Sequence, residues 1–290
     1  MKTPQPKTPQ LAEALSLNGQ LYLKREDLNP YSSHKGRSIP VMIDHYLNQN
    51  RNKFVISSSG NAALAAIKKI KEINEPANLT VFIGKNINSN KEKRLKQEVS
   101  GYKQISIEQK QRPKQIAFQK DKKETIIYLR QSTDDVALEG YKELARELNE
   151  IENLQAIFVP TSSGTTAEGL YKGFQKLNQD PQIHIVQTEY CHPMAEKFDK
   201  KFEKKDSSIA TAIVDKVAHR KQQVLNIISK SGGSGWIISD QRIQQAIDLV
   251  EDVSDLQISA NSALSIAGIK KAIQNEYQWN GAVAALICGK

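Results

Sequence analysis

Short apolar runs, each closed by a Ser/Gly/Thr turn and followed by an amphipathic helical segment, recur along this chain. That rhythm restricts the fold more than any other feature. FVIS (54–57) passes through SSGN into AALAAIKKIKE, and AIFVP (156–160) passes through TSSGTT into GLYKGFQKLN (169–178). A strand that hands the chain to a helix before the next strand forms has the helix return it to the strand's starting end. Neighbouring strands then run parallel, and helices cover the sheet faces. The sequence therefore predicts an α/β protein with mostly parallel, twisted sheets flanked by helices. In such sheets the ligand crevice lies beyond the carboxyl ends of the strands.

Apolar periodicity places strands at 21–27, 54–56, 79–84, 102–108 (an edge strand by its alternation), 125–130, 156–160, 183–189 and 282–288. Helices are expected over 35–48, 62–72, 90–100, 140–150, 169–178, 240–252 and 262–273, with a Gln/Lys-rich one before residue 125. Residues 199–235 read as polar and irregular, with SGGSG (231–235) as a flexible turn.

A length of 290 residues accommodates about two domains. The longest apolar run, GAVAALIC (281–288), falls far short of the roughly 20 residues that cross a bilayer. MKTPQPKTPQ puts prolines where a signal peptide needs an apolar stretch. Two cysteines, Cys191 and Cys288, are too few for a disulfide framework or a Cys-rich zinc site. A cytoplasmic location with no membrane partner is the expectation. The net charge of +9 is local: residues 85–123 hold 12 Lys/Arg against four acids, a surplus of eight. A basic patch can be a nucleic-acid footprint. Only Tyr102 and Phe118 there could stack on bases, so the stretch is read as a solvated lysine-rich surface. A basic nucleic-acid-binding module stays as the alternative from another class.

Three turns sit where the crevice should be. Asn29–Arg37 (NPYSSHKGR) places Lys35 at a helix start, where helix-end potential and partial burial would favour the neutral amine as a nucleophile. Ser57–Ala62 (SSSGNA) puts small residues at a helix N-terminus, where free backbone N–H groups suit a carboxylate or phosphate. An ordinary Ser/Asn helix cap would explain that turn equally well. Thr161–Thr166 (TSSGTT) has the same setting and five hydroxyls in six residues. It matches neither GxxxxGK[ST] nor GxGxxG, which points to a phosphorylated small cofactor or substrate rather than a nucleotide.

Taken in order, LYLKREDLNP–SSHKGR, SSSGNAA, EGYKELARE, the turn after AIFVP, ISANSALSIAGIKKA and the final ICGK resemble the fold-type II pyridoxal-phosphate enzymes. This is the tryptophan synthase β-like superfamily, with serine/threonine dehydratases, threonine synthase and cysteine synthase among its members. The resemblance covers the chain from about Thr8 to its end and implies pyridoxal 5'-phosphate as cofactor, held between two domains. Lys35 matches the lysine that joins the cofactor, and Asn61 the asparagine beside its phenolic oxygen. Ser58, Ser59, Gly60 and Ala62, with Asn61, match the loop that holds the substrate carboxylate. Ser162, Ser163, Gly164, Thr165 and Thr166 match the phosphate cup, and Gly169 completes its Gly-Thr-Thr-x-x-Gly form. Cys288 falls where the family sets a Ser, Thr or Cys against the pyridine nitrogen. Ser59 also matches a second acid/base in some relatives.

The sequence departs from the family at His34, Gly36, Ser162 and Ser163, and at Ser259, where some dehydratases carry Glu. The resemblance implies a segment 1–37 that carries Lys35 and packs with the large domain, a small mobile domain over 38–148, and a large cofactor-binding domain over 149–290. It implies an amino-acid substrate and a homodimer. The expected activity is β-elimination on a hydroxy amino acid, as in serine/threonine dehydratases. The alternatives are β- or γ-replacement of threonine synthase or cysteine synthase type, or a catalytically silent relative. No metal site is expected: His45, His184 and His219 lack spaced partners. Trp236 and Trp279 read as packing residues, and Glu139-Gly140 as a helix start.

Overall fold

A computed structural model describes residues 2–121 and 125–289. Lys122 and Lys123 of the basic stretch, and the final Lys290, lie outside the described residues. In chain order the elements are α1 (Pro9–Ala14), β1 (Gln20–Arg25), α2 (Lys35–Leu47), β2 (Lys53–Ser57), α3 (Asn61–Glu72), β3 (Asn78–Gly84), α4 (Ser89–Val99), β4 (Ile105–Lys110), α5 (Pro113–Asp121) and β5 (Ile127–Tyr128). They continue with α6 (Val136–Leu148), β6 (Leu154–Pro160), α7 (Thr165–Lys176), β7 (Gln182–Thr188), α8 (Lys221–Ser231), β8 (Gly235–Ile238), α9 (Asp240–Ser254), α10 (Ala260–Gln274) and β9 (Ala282–Ile287). The expected α/β alternation is present, and every strand pairing between these elements is parallel. Among the described residues no helix is long and apolar enough to cross a membrane.

The chain forms two compact units, Met1–Leu28 with Tyr141–Lys290, and Asn29–Gly140. The first holds a five-stranded sheet of order β1-β9-β6-β7-β8. Period-two alternation builds a core on each face. From β9, Val283, Ala285 and Ile287 enter one core, while Ala282, Ala284 and Leu286 enter the other, with Cys288 just beyond the strand. β6 divides likewise, with Ala156 and Phe158 on one side and Ile157 and Val159 on the other. Strands buried on both faces are continuously apolar, which is why 156–160 and 282–288 could be recognised as strands.

The second unit has the order β4-β3-β2-β5. One face packs Phe54 and Ile56 against α2 and α3 through Ile39, Met42, Ile43, Ala63, Leu64 and Ile67. The other face covers Val55, Phe82 and Tyr128 with Ala117 of α5. The alternating segment 102–108 is the edge strand β4, as its pattern implied. The expected division at 37/38 falls inside α2. Lys35 belongs with residues 29–140 because Tyr31 joins the core that also buries α2 and α3. The expected division at 148/149 lies at the end of α6, whereas the two units part within that helix.

Residues 199–235 contain more order than their polarity suggested. Lys221–Ser231 is helix α8, burying Val224, Ile227, Ile228 and Ser231 at helical spacing. Gly232, left-handed at φ 71°, caps it, so SGGSG is a helix end followed by the buried strand β8. Strand 125–130 shortens to Ile127–Tyr128, because only Phe54 and Val55 pair with it. Helix α6 begins at Val136, so Glu139-Gly140 lies within it rather than at its start.

Candidate active site

The predicted site residues fall into two groups, one on each unit. In residues 29–140, the turn 48–52 leads from the end of α2 into the start of β2, and the turn 58–60 leads from the end of β2 into α3. Lys35 and Asn61 therefore both open helices on the side of the strands' carboxyl ends. The chain runs outward from β2 to β3 and β4, then returns to place β5 on the other side of β2. β2 is thus at the topological switch point, where open parallel sheets bind ligands.

The loop before Lys35 is held by its own atoms. Asn29 Oδ1 accepts from the Tyr31 N–H at 3.0 Å, and the buried Tyr31 hydroxyl donates to Glu72 Oε2 at 2.5 Å. Burial, then Glu72, raises the Tyr31 pKa above the ordinary phenol value. Lys68 Nζ donates to Pro30 O and Ser32 Oγ at 3.0 and 2.8 Å. A Cβ on residue 36 would lie 2.3 Å from Asn29 Oδ1 and 2.6 Å from Tyr31 Cβ. This accounts for glycine directly after the lysine. Gly140 serves the same turn from α6: a Cβ there would meet Arg37 O at 1.7 Å. Among the described residues Lys35 Nζ, half-buried, has no hydrogen-bond or ion-pair partner.

At the second turn the N-cap of α3 is Gly60, and no side chain caps the helix. Ser58 Oγ accepts from the Gly60 N–H at 3.2 Å, while the N–H groups of Ser59, Asn61 and Ala62 have no acceptor among the described residues. The simple Ser/Asn cap is therefore not the arrangement found. A Cβ on Gly60 would meet no heavy atom within 4 Å outside its chain neighbours and its own helix, so open space lies beside the turn.

In the other unit the switch point falls between β6 and β9, since the chain passes from β6 to β7 and β8 before returning to β9 on the opposite side. Thr161–Thr166 follows β6 and Cys288 follows β9. The pairing of Phe158 with Ala285 sets Thr161 and Cys288 at the same level beyond it. Gly164 is left-handed at φ 87° and starts α7 without a side-chain cap. A Cβ there would lie 2.6 Å from Val224 Cγ2. The N–H groups of Ser163, Gly164 and Thr166 have no acceptor among the described residues, and Ser163 Oγ and Thr165 Oγ1 lie 2.9 Å apart. Ser162 Oγ instead accepts from the N–H groups of Val214 and Asp215 at 3.1 and 3.2 Å, tying a surface segment to the cup.

Three residues that support the 161–166 turn or Cys288 carry no local signal in the sequence. Glu168, buried inside α7, accepts from Arg220 Nη1 at 2.8 Å and pairs with Lys172 Nζ at 2.8 Å. Gln187 donates from Nε2 to Thr161 O at 3.1 Å, while its Oε1 accepts from the N–H groups of Met194 and Ala195 at 3.0 and 2.9 Å. Ser262, buried at the start of α10, lies 3.7 Å from Cys288 Sγ, donates to Gly289 O at 3.0 Å and accepts from the Gly289 N–H at 3.4 Å. Ser259 Oγ donates to Gly289 O at 2.6 Å. The contacts from Glu168 to Arg220, from Gln187 to Thr161 and from Ser262 and Ser259 to Cys288 and Gly289 each span more than 25 residues in sequence, and only the polar residues at strand ends hint at them.

His34 is buried at the start of α2. His184 is a core histidine: its ring stacks on Phe158 at 4.4 Å, Nδ1 accepts from Trp236 Nε1 at 3.2 Å, and Nε2 faces Gln182 Oε1 at 3.1 Å. Burial lowers its pKa to about 3, so it stays neutral. Trp279 Nε1 donates to the same Gln182 oxygen at 2.8 Å. Both tryptophans are therefore packing residues with satisfied N–H groups. Among the described residues no cluster of His, Cys, Asp and Glu could hold a metal ion.

The chain matches the pyridoxal-phosphate dependent enzyme family over residues 1–289. It belongs to that family. The threonine synthase of Methanocaldococcus jannaschii is 29% identical over 166 residues, covering 52% of this chain and 41% of that protein. The catabolic L-threonine dehydratase of Staphylococcus aureus is 25% identical over 308 residues, covering 99% of this chain and 83% of that protein. Among solved structures, a pyridoxal 5'-phosphate-dependent aspartate racemase has a TM-score of 0.83 at 21% identity, covering 100% of this chain and 90% of that one. The fold is therefore fold-type II, and the cofactor is pyridoxal phosphate. Each unit by itself holds groups of suitable chemistry: residues 29–140 a lysine amine with no partner among the described residues, and the other unit a glycine turn with unfilled N–H groups at a helix start and a thiol beyond β9.

Proposed function

We propose that this family member is a lyase that catalyses β-elimination on a hydroxy amino acid, of serine/threonine dehydratase type. The observation that carries the reading is the residue beyond β9, a thiol set by Ser262 rather than a carboxylate. A neutral thiol beside the cofactor's pyridine nitrogen would not keep that nitrogen protonated as a carboxylate would, so the ring's electron withdrawal would be only partial. That favours prompt loss of a β-substituent over prolonged carbanion chemistry. The 25% identity with a threonine dehydratase over nearly the whole chain supports the same reading.

Lys35 Nζ would hold the cofactor at its aldehyde carbon, and the N–H groups of Ser163, Gly164 and Thr166 with the nearby hydroxyls would hold its phosphate. The cofactor, once bound, supplies an electron sink for the bonds at the substrate's α-carbon. The start of α3 binds the substrate carboxylate through the N–H groups of Ser59, Asn61 and Ala62, while the Asn61 side chain positions the cofactor ring. Lys35 Nζ, as a free amine, would take the α-proton of the bound substrate. Ser59 Oγ would give a proton to the departing hydroxyl, which leaves as water, and the proton held by Lys35 would restore the Ser59 hydroxyl.

A replacement enzyme of threonine synthase or cysteine synthase type is the second reading. The Gly-Thr-Thr cup and the 29% identity with a threonine synthase over 166 residues favour it. Incubation of the purified protein with serine, threonine, O-acetylserine and O-phosphohomoserine separates the two. Release of pyruvate or 2-oxobutyrate from the hydroxy amino acids is the expected result. Phosphate release with threonine formation from O-phosphohomoserine would replace the lyase reading by the second one.

A further inference from the structure

We propose that the cleft formed by α1, α9 and α10 is an accessory binding site for a small apolar carboxylate of about five or six carbons. It lies wholly within the unit that carries the five-stranded sheet, and no residue of the candidate active site lines it. Its floor is apolar: Leu15, Ala246, Ile266 and Ala267 are all nearly inaccessible, and Leu249 closes one side. The open cleft offers about 140 Å³, close to the ~150 Å³ that accommodates a benzene-sized ligand.

The rim selects the charge. The exposed Arg242 and Lys270 line the cleft together with Gln245 and Gln274, and no Asp or Glu does. Arg242 Nη1 donates to Gln274 Oε1 at 2.9 Å, which holds the guanidinium at the mouth, but among the described residues neither cation makes an ion pair. An apolar tail on Leu15 and Ile266 with a carboxylate at Arg242 and Lys270 satisfies both features. A phosphate would leave the floor empty, an amine would be repelled, and the space is too small for a protein segment.

The probe is hexanoate, titrated calorimetrically into the cofactor-loaded protein. Saturable binding on the order of 1 mM is expected from the ligand's size. It should leave the cofactor absorbance unchanged, which separates this cleft from the active site. In the R242Q/K270Q double variant, whose substitutions are at exposed positions, hexanoate should bind at least about tenfold more weakly, and hexylamine should bind wild type at least about tenfold more weakly than hexanoate. The proposal is overturned if hexanoate does not saturate, if hexylamine binds equally well, if R242Q/K270Q binds hexanoate unchanged, or if binding perturbs the cofactor absorbance.

Discussion

Gly60→Ala adds one methyl group to the loop proposed to hold the substrate carboxylate, and its two consequences have opposite signs. The new Cβ has no heavy atom within 4 Å outside its chain neighbours and its own helix, and φ of −125° lies outside the left-handed region. Folding should therefore be unaffected, or favoured by about 0.4–1 kcal/mol through the reduced freedom of the unfolded chain. The methyl nevertheless projects into the open space beside the turn that carries the N–H groups of Ser59, Asn61 and Ala62. Displacing a carboxylate from one charge-assisted hydrogen bond removes about 1.5–3 kcal/mol, a loss of roughly 10- to 150-fold in amino-acid affinity. Urea unfolding reads the first effect. Titration of the cofactor absorbance with L-serine and L-threonine reads the second. A variant destabilised by more than about 1 kcal/mol, or one that binds both amino acids as well as wild type, would refute the reasoning.

Three further outcomes are expected. Gly164→Ala meets both a left-handed φ of 87° and Val224 Cγ2 at 2.6 Å, so it should cost about 2–4 kcal/mol in urea unfolding and weaken pyridoxal-phosphate retention on dialysis. Burial holds the His184 pKa at about 3 against an ordinary 6.5, so the unfolded chain binds a proton that the folded one refuses. Stability is then full above pH 6.5 and falls as pH drops through the window from 6.5 to 3, by about 2 kcal/mol at pH 5. Urea midpoints at pH 7 and pH 5 should lie closer together in His184→Gln, and an unchanged gap would contradict this. Ser262→Ala removes the hydroxyl beside Cys288 Sγ, so Cys288 should react faster with a thiol reagent and the bound cofactor's absorbance should shift; unchanged labelling would argue against a positioning role.

The strands were legible where both sides of the sheet are buried, as at 156–160 and 282–288, since such strands have no polar face to blur them. Helix α8 carried its signal in Val224, Ile227 and Ile228, but surrounding Lys and Gln side chains masked a stripe only three residues wide. β8 is a buried four-residue strand, too short for alternation to register. The candidate loops were found because small hydroxyl residues between a strand and a helix have a backbone reason to be there. What stabilises them was hidden for a different reason. Gln187, Glu168 and Arg220 act across the fold, and the grouping of Lys35 with residues 29–140 depends on Tyr31 packing against α2 and α3, which no local pattern encodes.

The most direct measurement is borohydride reduction of the cofactor-loaded protein followed by peptide mass analysis. Lys35 lies outside the basic stretch and its amine has no partner among the described residues. A reduced phosphopyridoxyl group on the peptide containing Lys35, absent in Lys35→Ala, is the predicted result. A protein that retains no pyridoxal phosphate, or one in which the label falls on another lysine, would contradict the account.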